Sequence, residues 1–263
     1  MGRKWSIYSL VREKKKMTFF KPNIPIPLNY EKTPTDDGSF TLKSLNFNEN
    51  CHSTSGANEE TIYNYILGTG VNNLTLPLTN IFEVGFGLGV GAILSFMEAK
   101  KQKKKINFFS MEIDENLIHW FKNSVSDELN ELFPFNNLVK ANDLFYSATG
   151  ELGELVIFVG DAFKNKIAIQ NEINQRSKIN KIYQDAFSPK RNPDLWTIEW
   201  FEFLKSISAG DVLLSTYSAS HGFRKNLKQL GFFVYNKKGF AQKRSMTIAS
   251  LSKIFREDLD LWP

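Results

Sequence analysis

Ile81-Phe82-Glu83-Val84 is a short apolar run that passes directly into Gly85, Gly87, Gly89 and Gly91, alternating with Phe86, Leu88 and Val90. No other stretch constrains the fold as strongly. A strand that ends in closely spaced glycines and restarts as a helix places backbone N–H groups at the carboxyl edge of a sheet. The missing Cβ atoms let a ligand approach the main chain. Ala92–Ala99 reads as the helix that follows. Taken alone, the loop establishes a nucleoside cofactor and no more. Gly87, Gly89 and Ala92 satisfy the nicotinamide spacing G-x-G-x-x-A as well as other readings.

The rest of the chain supplies the frame for that loop. Strands are expected at Ile106–Met111, Leu155–Val159, Lys181–Gln184 and Val212–Thr216, with Phe232–Tyr235 and Ser245–Leu251 as a closing hairpin. Helices are expected at Asn58–Leu67, Leu117–Leu132, Asp194–Ile207 (with Asp194 as N-cap) and Gly222–Leu230, and the polar stretch 162–180 as an outer helix. Pro22, Pro25, Pro27 and Pro34 make the lead-in irregular, and Ser39–Leu45 reads as one arm of a small N-terminal hairpin. Strands alternating with helices predict an α/β fold with a mostly parallel sheet covered on both faces.

The first four expected strands each carry an acid at or near the carboxyl end, beginning with Glu83 before the glycine loop. Glu112 lies 23 positions beyond Gly89, near the spacing at which a carboxylate accepts ribose hydroxyls. Asp161 follows the third strand, where a carboxylate can accept an exocyclic amine, and Asp185 follows the fourth. Asp114 reads instead as a helix cap, and His119 as structural. The glycine loop, Glu112, Asp161 and Asp185 make four candidates on one sheet edge, harder to produce by accident than any one acid.

Charge points outward. The formal net charge is +5, but residues 1–16 hold six basic side chains against Glu13, and the remainder carries 27 of the 33 basic and 27 of the 28 acidic residues. From His221 to Arg256 there are nine Lys or Arg and no Asp or Glu. A polyanion partner needs such a one-sided basic face; a solvated Lys-rich helix and hairpin would give the same pattern. Lys190, Arg191, Arg224, Lys225, Lys237, Lys238, Lys243 and Arg244 are the candidates for a phosphate track. Cys51 is the single cysteine, which excludes an internal disulfide and a cysteine-rich metal site. No apolar run reaches the length of a membrane span and no secretory signal is evident, so a cytoplasmic protein is expected, without metal or membrane partner. The expected organisation is a basic leader at 1–16, an extension at 17–75, a main domain at 76–256 and a tail at 257–263.

Three segments carry a family resemblance. Asp185-Ala186-Phe187-Ser188-Pro189-Lys190-Arg191-Asn192-Pro193-Asp194-Leu195-Trp196 resembles the signature D-G-F-A-P-x-x-N-P-x-(M/L)-W of a bacterial tRNA-modifying methyltransferase family. That family completes 5-methylaminomethyl-2-thiouridine. The segment 238–246 is similar to its closing K-G-F-G-R-K-R-E-M, and 51–60 to its Y-H-S-x-x-G-A-x-x-E stretch. Ala186 and Ala241 stand where the family has glycine, and Ser245 where it has an acid.

The resemblance implies a class I methyltransferase, Rossmann-like, with a seven-stranded sheet and the N-terminal hairpin as extension. It implies S-adenosylmethionine as cofactor, held by Glu83, Gly85, Phe86, Gly87, Gly89, Glu112, Asp161 and Asp185. The acceptor would be the amine of 5-aminomethyl(-2-thio)uridine in the tRNA anticodon loop. Asp185 and Phe187 would be catalytic, with Lys190, Arg191, Lys238, Lys243 and Arg244 on the tRNA. A small-molecule methyltransferase, a nicotinamide oxidoreductase and a non-catalytic RNA-binding module are the competing readings.

Overall fold

The computed structural model describes residues 19–263, so the basic leader at 1–16 lies outside the described residues. A small antiparallel sheet comes first, built from β1 (Tyr30–Pro34), β2 (Phe40–Ser44) and β3 (Glu49–Asn50). The expected hairpin is therefore three-stranded, because the turn after β2 brings Glu49 back against Ser44. A helical segment at 57–69, here α1, runs Ala57–Thr61, a π-turn Ile62–Ile66, and Leu67–Thr69.

Among the described residues the main sheet has ten strands. Five run parallel at its centre: β10 (Ser208–Thr216), β9 (Ile179–Gln184), β4 (Leu78–Val84), β5 (Lys105–Glu112) and β8 (Gly153–Val159). Beyond β10 the hairpin of β12 (Ser245–Ser250) and β11 (Phe233–Lys238) is antiparallel. These are the seven strands expected from the sequence. Three more extend the edges: β7 (Phe145–Gly150) and β6 (Val139–Lys140) beside β8, and β13 (Asp260–Leu261) beside β11.

Helices α2 (Val90–Gln102), α3 (Glu115–Ser124) and α4 (Asp127–Leu132) share one face of the sheet with α1; α5 (Ala162–Arg176), α6 (Ile198–Ile207) and α7 (His221–Gln229) cover the other. The strands show why. Ile81, Phe108, Leu155 and Ile157 enter the first core, while their neighbours Phe82, Phe109, Val156 and Phe158 enter the second. Strands apolar on both faces must be covered on both, as parallel sheets are. Phe19, Phe20, Leu42 and Leu74 join the first core, so the segment before β4 is packed into the domain.

Two expected helices are divided. The stretch expected as one helix over 117–132 breaks at Val125-Ser126, where Phe20 bridges to Val125, the Lys21 N–H donates to Ser124 O at 2.6 Å and the Ser126 N–H to Phe19 O at 2.9 Å. Pairing with the lead-in replaces helical hydrogen bonds there. Asp194 does not cap α6. It lies in a 3-10 turn, Pro193–Trp196, and Thr197 is the cap, its hydroxyl accepting from the Trp200 N–H at 3.2 Å. Asp114 caps α3 as expected, accepting from the Asn116 N–H.

Candidate active site

Strand register sets the site. Val84 pairs with Met111 and with Gln184, and Glu112 pairs with Val159. The residues that follow, Gly85, Asp185 and Gly160-Asp161, therefore leave the sheet along one edge together with Glu112. A cavity of about 320 Å³ opens there, lined among others by Gly85, Phe86, Gly87, Glu112, Asp161 and Asp185. Open α/β sheets bind ligands in such a crevice beyond the strand ends.

The glycine loop needs glycine for different reasons at different positions. Gly85, Gly87 and Gly89 all have φ between 53° and 95°. A Cβ on Gly89 would lie 2.4 Å from the Phe121 ring, and one on Gly91 1.9 Å from Glu83 Oε1. Those two glycines close the loop against the protein. Gly87 instead faces the cavity, where a Cβ would meet only Cys51 at 3.7 Å.

Glu83 and Gly89 do not line the cavity. Glu83 is buried beneath the loop, where Ser110 Oγ donates to its Oε2 at 2.8 Å, and burial holds its carboxyl well above the usual range. Its place is under the cradle, unlike the cofactor contact expected of it. Phe86 lines the cavity with little exposed surface, packed edge-on to Phe121 with centroids 4.8 Å apart.

Glu112 closes the cradle from the next strand. Its Oε2 accepts the Gly87 N–H at 2.9 Å and its Oε1 the Asp114 N–H at 3.0 Å. Burial nevertheless pushes the carboxyl up to about 7. Each oxygen keeps a free lone pair, so two hydroxyl donors still fit. Asp161 caps α5, accepting from the Phe163 and Lys164 N–H groups through Oδ1, with Lys164 Nζ 3.3 Å from Oδ2. A glycine cradle open at Gly87, an acceptor carboxylate and a helix-capping acid beyond it suit a nucleoside with donor hydroxyls and an amine.

Asp185 looks two ways. It lines the first cavity and also a second of about 310 Å³, whose other walls include Glu49, Glu60, Tyr217 and Lys243. The Tyr65 hydroxyl donates to Asp185 Oδ1. Burial pushes the Asp185 carboxyl well above its ordinary range, opposed by that hydrogen bond and by the Lys243 charge. Tyr65 is itself buried and stacks on Tyr183 at 5.3 Å.

The loop after Asp185 is pinned throughout. The Tyr217 hydroxyl donates to Ala186 O at 2.9 Å and the Trp196 indole N–H to Phe187 O at 2.9 Å, and Gln184 Nε2 donates to Leu195 O. Phe187 stacks on Phe47 at 4.7 Å, and Glu49 accepts from both the Ser188 N–H and its hydroxyl. The small N-terminal sheet thus forms one wall of the site. Tyr30, Phe47, Glu49 and Tyr65 were not expected there, since nothing in their local sequence signals such a contact; Glu60 ends the 51–60 segment that resembles the family's, a resemblance that assigns it no role.

The basic candidates divide. Lys190, Arg191, Lys225, Lys238, Lys243 and Arg244 are exposed, and Arg191 reaches the first cavity. Arg224 and Lys237 are buried and unavailable to phosphate. Arg224 donates to Thr247 Oγ1 and Met246 O, while Lys237 sits 3.6 Å from the Tyr63 ring centroid and pairs with Asp258. Amphipathic α7 and the hairpin turn these two inward, Arg224 to satisfy buried acceptors and Lys237 to pack on the Tyr63 ring. Ala241, where the resembled family has glycine, adopts φ 50°, a conformation costly for any Cβ. Ala186 has no positive φ, so the same exchange is unstrained there.

A doubly covered parallel sheet with an antiparallel terminal hairpin, holding this cradle at its carboxyl edge, is the fold of class I S-adenosylmethionine-dependent methyltransferases. Residues 127–252 match the family model described as S-adenosyl-L-methionine-dependent methyltransferase. Among characterised relatives, the chain is similar to the tRNA 5-methylaminomethyl-2-thiouridine biosynthesis bifunctional protein MnmC. It is 27% identical over 230 residues to an uncharacterized protein of Methanocaldococcus jannaschii, covering 84% of this chain and 60% of that one. Identity to the MnmC of Legionella pneumophila is 27% over 241 residues, covering 81% of this chain and 35% of the relative; for that of Leptospira interrogans it is 25% over 233 residues. The chain thus spans about a third of the length of those bifunctional relatives. The crystal structure of MnmC2 from Aquifex aeolicus superposes with a TM-score of 0.68 at 23% identity, over 95% of this chain and 79% of that one, and shares the fold. Among the described residues no helix is long and apolar enough to cross a membrane, and no cluster of His, Cys, Asp or Glu could hold a metal ion.

Proposed function

We propose that this methyltransferase acts in the cytoplasm on tRNA, methylating the amine of 5-aminomethyl(-2-thio)uridine at the wobble position to give 5-methylaminomethyl(-2-thio)uridine. The observation that carries the reading is the position of Asp185 in the wall shared by two cavities. One is edged by the glycine loop, Glu112 and Asp161, the other by Glu60, Tyr217 and Lys243. A two-substrate transfer needs such a wall, with the acceptor brought to the donor beside a group that can take a proton.

In this reading Gly85, Phe86 and Gly87 cradle the cofactor, Glu112 accepts its ribose hydroxyls and Asp161 its adenine amine. S-adenosylmethionine supplies the electrophilic methyl. Asp185 orients the acceptor amine and takes its proton, leaving the nitrogen lone pair free to attack. A carboxyl whose proton affinity is raised by burial serves as a base closer to neutral pH than an exposed one would. Phe187 and Phe47 offer an aromatic wall for a base splayed from its loop. Lys190, Arg191, Lys238 and Arg244, with Lys243, supply cations for the phosphates.

Mass spectrometry of wobble nucleosides in tRNA from a deletion strain tests the proposal. 5-Aminomethyl-2-thiouridine should accumulate and be converted when the chain is restored. An unchanged nucleoside profile would remove tRNA as the substrate.

A further inference from the structure

Lys243 was expected on the phosphate track, but its ammonium turns into the second cavity. Nζ lies 3.0 Å from Glu60 Oε1 and 4.7 Å from the Tyr217 ring centroid. Glu60 is 7% exposed, and its other oxygen accepts the Ser53 N–H at 2.6 Å. That carboxylate is thus built in and oriented, with one oxygen left for a cation. The turn that brings Lys243 there is fixed. The Lys243 N–H donates to Phe240 O at 3.0 Å, the Tyr63 hydroxyl to Lys238 O at 2.9 Å, and Phe240 packs near the Tyr63 ring.

A lysine ε-ammonium is a primary aliphatic ammonium, the same group as a protonated aminomethyl substituent. A desolvated carboxylate and an aromatic face are what recognise such a cation. We infer that Glu60 and Tyr217 form a primary-ammonium subsite that Lys243 fills in the free protein and yields to the acceptor's own ammonium. Asp185 lies on the wall of the same cavity, so an ammonium held at Glu60 is delivered beside the group that takes its proton. Once displaced, Lys243 is a free cation at the mouth, next to exposed Arg244. The pocket thereby accepts charged amines and leaves alcohols without a means to displace the resident lysine.

The inference deepens the amine-methylation reading and rests on it for the acceptor's chemical class. Calorimetry on the full chain, with 5-aminomethyluridine and 5-hydroxymethyluridine as probes, tests it apart from catalysis. Lys243→Met should bind the amine about tenfold more tightly than wild type, because a competing occupant is gone, while the hydroxymethyl analogue changes by less than about twofold. Adding Glu60→Gln to Lys243→Met should abolish the gain. Lys243 is 44% exposed, so its exchange leaves the core intact. No gain for the amine, an equal gain for both nucleosides, or a gain that survives Glu60→Gln would each overturn the subsite. If wild type fails to methylate any tRNA while the amine-selective gain persists, the subsite stands and the tRNA assignment falls.

Discussion

The Tyr65 hydroxyl, in the π-turn of α1, donates its hydrogen bond to Asp185, which lies 120 positions later in the chain at the end of β9. An added residue in a helical turn often marks a functional site. Here the π-turn belongs to the segment whose next turn sets Gly68 against Ser215, and the Ser215 hydroxyl bonds to Asn64 O. The catalytic candidate is held from a part of the chain that precedes the cofactor loop.

That bond favours the ionised form of Asp185, so removing it should raise the carboxyl's proton affinity further. Tyr65→Phe should shift the acidic limb of the kcat profile toward higher pH. Affinity for S-adenosylhomocysteine should hold. A pH–rate series on wild type and variant decides the matter. An unmoved limb would separate Tyr65 from proton handling, and Asp185→Asn should remove the limb altogether.

Glu112 gives cofactor binding its own pH dependence. Burial pushes its carboxyl up to about 7, and only the ionised form offers unprotonated acceptors on both oxygens to ribose hydroxyls. Affinity for S-adenosylhomocysteine should therefore be full above that pH and fall as pH drops through it, by up to roughly tenfold between pH 8 and pH 6. Calorimetry at the two pH values checks this. Glu112→Gln should bind more weakly and show no such slope.

The glycines of the loop should separate stability from binding. Gly89→Ala forces a Cβ into Phe121 at φ 72° and should destabilise the fold by about 3 kcal/mol in urea unfolding. Gly87→Ala meets no close neighbour and should cost only about 1 kcal/mol, the expense of its positive φ. Its larger effect should appear as weakened cofactor affinity.

Basic residues should sort by burial. Charge reversal at Lys190 and Arg191 should raise the KM for tRNA and lower the salt slope by about one per lost phosphate contact. Arg224→Met leaves Thr247 and Met246 without their donor and should instead cost about 1–3 kcal/mol of stability. If Arg224→Met weakened tRNA binding with stability untouched, the division between track and core would be wrong.

Much of this arrangement is legible in the sequence because it is local. The apolar strand before Gly85 and the acids at the ends of β5, β8 and β9 are each visible within a short window, and parallel pairing brings those ends to one edge. What stays hidden is set by distant partners. The break at Val125 depends on Phe20, Tyr65 meets Asp185 only after α1 packs on the sheet, and Glu83 looks like a ligand until Ser110 closes over it. Strands β6 and β7 escape notice because Phe145–Gly150 is short and broken by polar residues, and its pairing with β8 supplies the missing order. Arg224 and Lys237 show the same limit for charge, since a count of cations along the chain carries no information on which way each one points.

The two chambers on either side of Asp185 bear on the order of events. With one chamber for each reactant in the proposed reading, both can be bound at once, and no covalent enzyme intermediate is called for. Initial-rate plots should then intersect, as in a sequential scheme, where parallel lines would signal a relay through the protein. Spent nucleoside should compete with fresh cofactor while acting noncompetitively toward the acceptor.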